Sequence, residues 1–498
     1  MNVNPITRLD YPDPDVIRVE DTYYMISTTM HFMPGCEILQ SFDLVHWEHV
    51  TYVYETLDHT DAQQLKSGQN IYGQGMWAAS LRYHEGRFYI CFVANDTRKT
   101  YLYTSEKIDG PWKKQLIEGF YHDGSLLFDE DGRNYIVYGN DEIWITELNE
   151  DLTAPKKDGL HRLLVSDHKN PELGYEGSHI QKINGYYYIF LVHSLRDRWM
   201  RTEACFYSDS LEGEFTGGDV LCDDRGYCGQ GVAQGGIVDT PDGKWYAMLF
   251  QDSGAVGRIP ILLPVTWKDH FPFFGQNGHV PEEIEVHSTR PGYIYQPLVG
   301  SDDFCNGLLP RWQFNHDPDP RYYHLDALQG TYTITTREVC TELTQAVNTL
   351  TQRMSYPSCA AEVTVDASAL KEGDVAGLCA LQSCYAAVGI TKHHGKYEVL
   401  MLDKKEDGIL DMTEGTVVES HQMDFRLEAD FCNMKDEARC YYRVNKGDWL
   451  PIGTVHKLYF KLDHFTGCRF GLFCYAAEET GGSACFRDFK YYDVDEIS

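Results

Sequence analysis

Three acidic residues stand at the same place ahead of a repeated aromatic phrase. Asp13 lies eleven residues before Tyr24, and Asp123 and Glu176 lie twelve before Tyr135 and Tyr188. Trp77 and Gln234 hold the equivalent place before Tyr89 and Tyr246. One protonated carboxyl and one ionised carboxylate on either side of a glycosidic bond are the groups that hydrolyse it. A third carboxylate nearby helps to keep the acid protonated near neutral pH, because like charge disfavours ionisation. Trp77 offers a flat face to a sugar ring. Singly, Asp13 in Pro12-Asp13-Pro14 and Asp123 in His122-Asp123-Gly124 read as turn residues. The shared register is what turns them into a candidate site.

The elements that must position these residues are short strands. Helical periodicity is scarce, and aromatic and β-branched runs alternate with Gly, Asp and Asn turns, so the fold class is all-β. Five segments repeat one pattern, an apolar pair, a turn and an aromatic strand: 15–26, 80–91, 125–138, 178–189 and 236–248. Asp131-Gly132, Asn184-Gly185 and Asp242-Gly243 are strong hairpin signals, Glu85-Gly86 also carries glycine, and the first segment turns at Glu20-Asp21. The tyrosines Tyr24, Tyr89, Tyr135, Tyr188 and Tyr246 are 65, 46, 53 and 58 residues apart. That is roughly the length of a four-stranded propeller blade. Five units predict a five-bladed β-propeller over residues 1–295. Its innermost strands line a channel, so Asp13, Trp77, Asp123, Glu176 and Gln234 should converge there.

The pattern ends after Trp267, and a Gly- and Pro-rich stretch runs from Phe271 to about Gly300. Alternating segments such as Tyr332–Thr335, Ala361–Val365 and Leu458–Leu462 then predict a β-sandwich, a concanavalin- or lectin-like jelly roll, over residues 301–498.

Composition excludes several functions. A net charge of −32 repels nucleic acid and anionic membranes. No apolar run is long enough to span a bilayer. A neutral oligosaccharide suits the 34 Tyr and 13% aromatic content better. The 15 Cys are scattered, without Cys-x-x-Cys pairs, and Met1–Pro5 carries no basic and apolar leader. Together these favour free thiols in the cytoplasm. Self-association is left open. Asp129–Gly132 reads as a hairpin turn rather than a calcium loop, and His393-His394 as a solvated turn. His31 and His179 read as hydrogen-bonded walls of the pocket.

The words Tyr11-Pro12-Asp13-Pro14-Asp15, Gly75-Met76-Trp77-Ala78-Ala79-Ser80, Asp123-Gly124-Ser125-Leu126-Leu127-Phe128-Asp129 and Tyr175-Glu176-Gly177-Ser178-His179 resemble glycoside hydrolase family 43. So do Gln234–Thr240 and the run from Gly257-Arg258 to Trp267. The resemblance covers roughly residues 4–290. It implies inverting cleavage of β-xylosides or α-L-arabinofuranosides, with Asp13 as general base, Asp123 as modulator of the acid and Glu176 as general acid. It also implies that Arg258 contacts a substrate hydroxyl and that Phe32, Met33 and Trp77 form the sugar-binding wall. Gln234, from the register, joins the substrate-binding set. Leu350–Arg353 and Cys485–Phe489 resemble the C-terminal sandwich of the family's β-xylosidases, which lends a loop to the rim of the site and favours exo-cleavage. Asp123-Gly124-Ser125 departs from the family's Asp-Pro-Ser. Gln234 departs from a histidine tied in many members to a calcium or water, so a structural calcium has no support here and no cofactor is expected. The reading is an exo-acting xylosidase on short β-1,4-xylo-oligosaccharides. The alternatives are an α-L-arabinofuranosidase, a dual enzyme, a non-catalytic sugar-binding propeller or an interaction scaffold.

Overall fold

The computed structural model describes residues 2–493. Five antiparallel sheets of four strands follow one another along the chain, each built from consecutive strands except the first, which Phe32–Met33 interrupts. Their inner strands are Asp15–Val19, Met76–His84, Ser125–Phe128, Glu176–Ile183 and Val232–Asp239. Each inner strand touches the next around a ring, and blade five closes against blade one. Among the described residues no helix is long and apolar enough to cross a membrane.

Alternation within the strands holds the ring together. Successive side chains point to opposite faces, and in a blade both faces meet another blade. Tyr135 and Val137 pack toward blade four, whereas Ile136 packs toward blade two. Ile189 and Leu191 join the cluster with blade three, and Tyr188 and Phe190 join that with blade five. Met25 faces blade five and Ile26 faces blade two. This two-sided burial explains why the repeats read as continuous apolar runs. Removing a ring such as the fully buried Phe190 costs about 3–5 kcal/mol in a close-packed core.

All five hairpins read from sequence are inner hairpins of blades, with pairs Ile17–Tyr24, Arg82–Tyr89, Leu127–Tyr135, Gln181–Tyr188 and Val238–Tyr246. Their turns use the left-handed backbone, with φ of 56° at Glu20, 51° at Asn184 and 84° at Gly185. The common register needs a correction, because the hairpins differ in length. Measured from the partner of its tyrosine, each of Asp13, Asp123 and Gln234 lies four residues upstream, but Trp77 and Glu176 lie five. The residues level with Asp13 are therefore Ala78 and Gly177. Asp13, Asp123, Gly177 and Gln234 have φ of 52°, 48°, 65° and 63°, a conformation costing an L-residue roughly 1–2 kcal/mol. Bulges break the inner pairing here in blades two, four and five, and a bulge re-aims side chains out of the pleat. Glycine is required at Gly177, where a Cβ would stand 2.7 Å from Gln234 Cγ.

Residues beyond about 301 form two facing sheets around a main core, with a second apolar cluster beside it. The larger sheet has nine strands, and its edge strand, Phe32–Met33, belongs to the propeller. Phe32 pairs with Asn315 and Met33 with Phe314. This overturns the assignment of Phe32 and Met33 to a sugar-binding wall. Both have 0% exposure; Phe32 lies under the Arg469 guanidinium at 3.5 Å, in a sandwich cluster with Tyr385 and Phe473. Leu458–Leu462, expected as a strand, is instead a loop after the strand Leu450–Lys457. Leu458 is buried and Leu462 is 73% exposed, so the segment leaves the core to cross toward the propeller.

Candidate active site

Asp13 sits on the segment entering the first inner strand. Thr28 Oγ1 donates to its Oδ2 at 2.6 Å, and Arg258 Nη1 donates to Oδ1 and Oδ2 at 3.1 and 3.3 Å. Arg258, expected to meet a substrate hydroxyl, is first of all the ion-pair partner of Asp13. It opens the third strand of blade five, and its backbone N–H donates to Asp10 Oδ1 at 2.7 Å. Asp10 Oδ2 accepts from Gly467 N of the sandwich at 2.8 Å. Arg353 of the sandwich donates to the Asp10 carbonyl at 2.9 Å, lies 4.0 Å above the Tyr11 ring and pairs with Glu37 at 2.8 Å. The sandwich thus fixes the chain on which Asp13 rides.

Across the channel, Glu176 begins the inner strand of blade four. Asp141 N donates to the Tyr175 carbonyl at 2.9 Å, which lays the end of a blade-three strand beside Glu176. Asn140 Nδ2 then donates to Glu176 Oε2 at 3.0 Å. Asp123 Oδ2 accepts from Gly177 N at 2.9 Å. Between the two carboxyl groups stands His122, with Nε2 3.5 Å from Asp123 Oδ2 and 3.6 Å from Glu176 Oε2. Burial alone would strip this imidazole of its charge, but Asp123 and Glu176 outweigh burial and push it up to about 9. Burial raises the Asp123 carboxyl to about 6; His122 opposes that rise, and Glu176 and Asp13 reinforce it. At neutral pH the cluster therefore holds an imidazolium between acidic groups.

The aromatic wall comes from both domains. Trp77 packs 5.8 Å from the His122 ring and 5.6 Å from Phe465. Its indole Nε1 is buried and has no hydrogen-bond partner among the described residues. Phe465 arrives on the sandwich loop after Leu462 and lies 4.3 Å from the Arg258 guanidinium. Gly467 permits that approach, since a Cβ there would meet the Val256 carbonyl oxygen at 2.2 Å. Gln234 is 5% exposed and packs against Gly177; its N–H donates to Glu203 Oε2 at 2.7 Å. Burial pushes the Glu203 carboxyl well up, against the lowering effect of the Gln234 N–H. Burial and then Arg258 press the Arg201 guanidinium down to about 10.

The structure brings Asp13, Trp77, Asp123, Glu176, Gln234 and Arg258 to one end of the inner strands and leaves Phe32 and Met33 behind it. It adds His122, Asn140, Asp10 and Phe465, which the sequence reading missed. Only His122 carried a local signal, its place immediately before Asp123. His179 hydrogen-bonds Asp15 at 3.1 Å on the axis, as a wall residue should. His31 differs: neither ring nitrogen has a partner among the described residues, and it packs against Tyr72, His316 and His464.

Among the described residues, His122, Asp123 and Glu176 are the one group of three metal-ligating side chains within 4.8 Å of one another. One imidazole and two carboxylates do not make the six- to eight-oxygen cradle of calcium. The set is not a calcium site.

An acid–base cluster beside an aromatic wall, at the mouth of an all-β propeller, is the equipment of a carbohydrate-cleaving enzyme. The chain belongs to the glycosyl hydrolases of family 43, whose model matches residues 3–272, and it is a glycosidase. Residues 301–492 match the beta xylosidase C-terminal concanavalin A-like domain. A solved structure described as a bifunctional GH43-CE of Bacteroides eggerthii is 42% identical, with a TM-score of 0.93; the alignment covers 100% of this chain and 64% of that one. A "Beta-xylosidase" of Formosa agariphila is 27% identical over 99% of this chain and 89% of its own. A "Non-reducing end alpha-L-arabinofuranosidase" of Bacteroides ovatus is 24% identical over 82% of this chain and 79% of its own.

Proposed function

We propose that the enzyme is an inverting exo-glycosidase that releases xylose from the non-reducing ends of short β-1,4-xylo-oligosaccharides. The carrying observation is the contrast between its two carboxyl sites. A guanidinium and a hydroxyl surround Asp13 with donors, the setting of a carboxylate that accepts a proton from water. Glu176 has one oxygen committed to Asn140, while among the described residues nothing bonds Oε1. In this reading Asp13 activates the water and Glu176 protonates the leaving oxygen from the opposite side. Asp123 holds Gly177 N and adds negative charge beside the acid. Trp77 carries the sugar face and Phe465 roofs the site, which supports cleavage at chain ends. Four exposed thiols, Cys222, Cys228, Cys305 and Cys432, support a reducing compartment and imported oligosaccharides.

The arabinofuranosidase reading uses the same machinery on a pentose with similar hydroxyls, and the relative from Bacteroides ovatus favours it. The test is hydrolysis of p-nitrophenyl β-D-xyloside and α-L-arabinofuranoside by wild type and Glu176→Ala. Release from the xyloside, lost in the variant, supports the proposal. Preference for the arabinoside keeps the mechanism and changes the substrate. No release from either, with intact affinity for oligosaccharide, would leave a sugar-binding propeller.

A further inference from the structure

Arg201 is the buried cation of the site with no part in the chemistry of Asp13 and Glu176. It opens the third strand of blade four, Arg201–Ser208. Ser194 pairs with Arg201 and Val192 with Glu203, and Val192 also pairs with Glu176. Arg201 therefore stands two residues beyond the level of Glu176, about 7 Å farther toward the mouth at the rise of a strand. Its guanidinium reaches across to blade five. Nη1 donates to Asp252 Oδ2, and the backbone of Asp252 pairs with that of Arg258. The guanidiniums of Arg201 and Arg258 lie 5.3 and 5.4 Å from the centre of one buried ring, Phe250. The groups whose charges act on Arg201 are Arg258, Glu176 and Asp13. The two arginines thus belong to one wall of the site. Gly231 holds that wall close, since a Cβ there would stand 1.9 Å from the Arg201 carbonyl oxygen.

A guanidinium carries five N–H donors, and burial demands acceptors for them. Arg201 is 8% exposed, yet among the described residues only Nη1 has a partner. Nε is enclosed without one, and Nη2 is neither bonded nor enclosed. The place of that open donor gives it a use. In an exo-acting pocket the sugar to be released lies deepest, and the acid protonates the oxygen that departs with the leaving group. The leaving sugar therefore lies on the mouth side of Glu176, where Arg201 stands. Trp199, 44% exposed and 5.2 Å from the same guanidinium, marks this rim. We propose that Arg201 is a binding residue for the leaving-group sugar, its Nη2 donating to a hydroxyl of the residue next to the scissile bond. The proposal rests on the exo-glycosidase reading and assigns a part of the substrate that this reading leaves without a partner. An oligosaccharide then gains a contact that a phenyl glycoside, with no hydroxyl on its leaving group, does not make.

The test compares kcat/KM on the disaccharide and on the phenyl glycoside of the same preferred pentose. The quantity read is the ratio of the two, disaccharide over phenyl glycoside. Arg201→Lys keeps a charge facing Asp252 and removes the planar fork. Its ratio should fall several-fold below that of wild type. Arg201→Met combined with Asp252→Asn removes the donor without stranding a buried carboxylate. Its ratio should fall about tenfold, roughly the worth of one hydrogen bond from a charged donor. A wild-type ratio in the double variant, or in Arg201→Lys should the double variant not fold, would overturn the proposal. That holds even where activity drops, because an arginine that only supports the fold weakens both substrates equally. Wild type that releases pentose from neither substrate would overturn the exo-glycosidase reading itself, and this proposal with it.

Discussion

Acidification should loosen the junction between the two domains through His464. Its ring stacks on Tyr72 at 5.1 Å and touches His31 at 4.9 Å, and both nitrogens are buried without a partner among the described residues. Burial, reinforced by the nearby Arg469 guanidinium, lowers it from 6.5 to about 3. Below pH 6.5 the unfolded chain takes up a proton that the folded chain refuses. Stability from this group is therefore complete above that pH and falls as pH drops toward 3. For one such histidine the loss between neutrality and about pH 5 is about 2 kcal/mol. His31 and His316 are shifted down for the same main reason, burial, and add loss of the same sign. Carboxyl groups act in both directions: Glu37 is held down at about 2, and Asp317 is raised by burial to about 6. The clean quantity is the difference between wild type and His464→Phe, which keeps the stacked ring and cannot titrate. Calorimetry at neutral pH and about pH 5 should show the sandwich Tm of the variant falling less than that of wild type, by about 4–8 °C for a unit of this size. Parallel falls in both proteins would refute the reasoning.

Asp13→Ala should lower kcat by roughly 10²–10⁴-fold with little change in KM, read in steady-state kinetics on the preferred glycoside. Phe465→Ala removes the ring that roofs the site beside Arg258 and Trp77; KM for the disaccharide should rise several-fold in steady-state kinetics, and the lost contact with Arg258, about 0.5–2 kcal/mol, should lower the melting temperature slightly. Arg353→Met strands the buried Glu37 carboxylate and should cost about 3–5 kcal/mol in denaturant unfolding. Glu37→Gln combined with Arg353→Met should recover much of that loss, because no buried charge is then left unpaired.

The hairpins were legible because both strands of each are buried on two faces, which writes the repeat into the sequence as apolar runs around a turn. The acid cluster was legible through that repeat, yet its levels were blurred. Hairpins of unequal length placed Trp77 and Glu176 one residue away from the level of Asp13, and only strand pairing reveals this. Phe32 and Met33 were misplaced because a strand that crosses to another domain's sheet looks like any apolar pair. Leu458–Leu462 had strand-like composition, but its chain must leave the sandwich for Phe465 to reach the propeller. His122 and Asn140 belong to blade three and Glu176 to blade four, and no local spacing links 122, 140 and 176. Asp10 works through the backbone of Arg258 and Gly467, contacts that leave no mark on composition.

The most direct test of the account is the configuration of the sugar at the instant of release, followed by proton NMR during rapid hydrolysis of an aryl β-xyloside or, if preferred, α-L-arabinofuranoside. A water activated by Asp13 opposite Glu176 must deliver first the anomer inverted from the substrate, with the other appearing only by mutarotation. Initial release of the retained anomer would require a covalent sugar–enzyme intermediate and would contradict the roles given to Asp13 and Glu176.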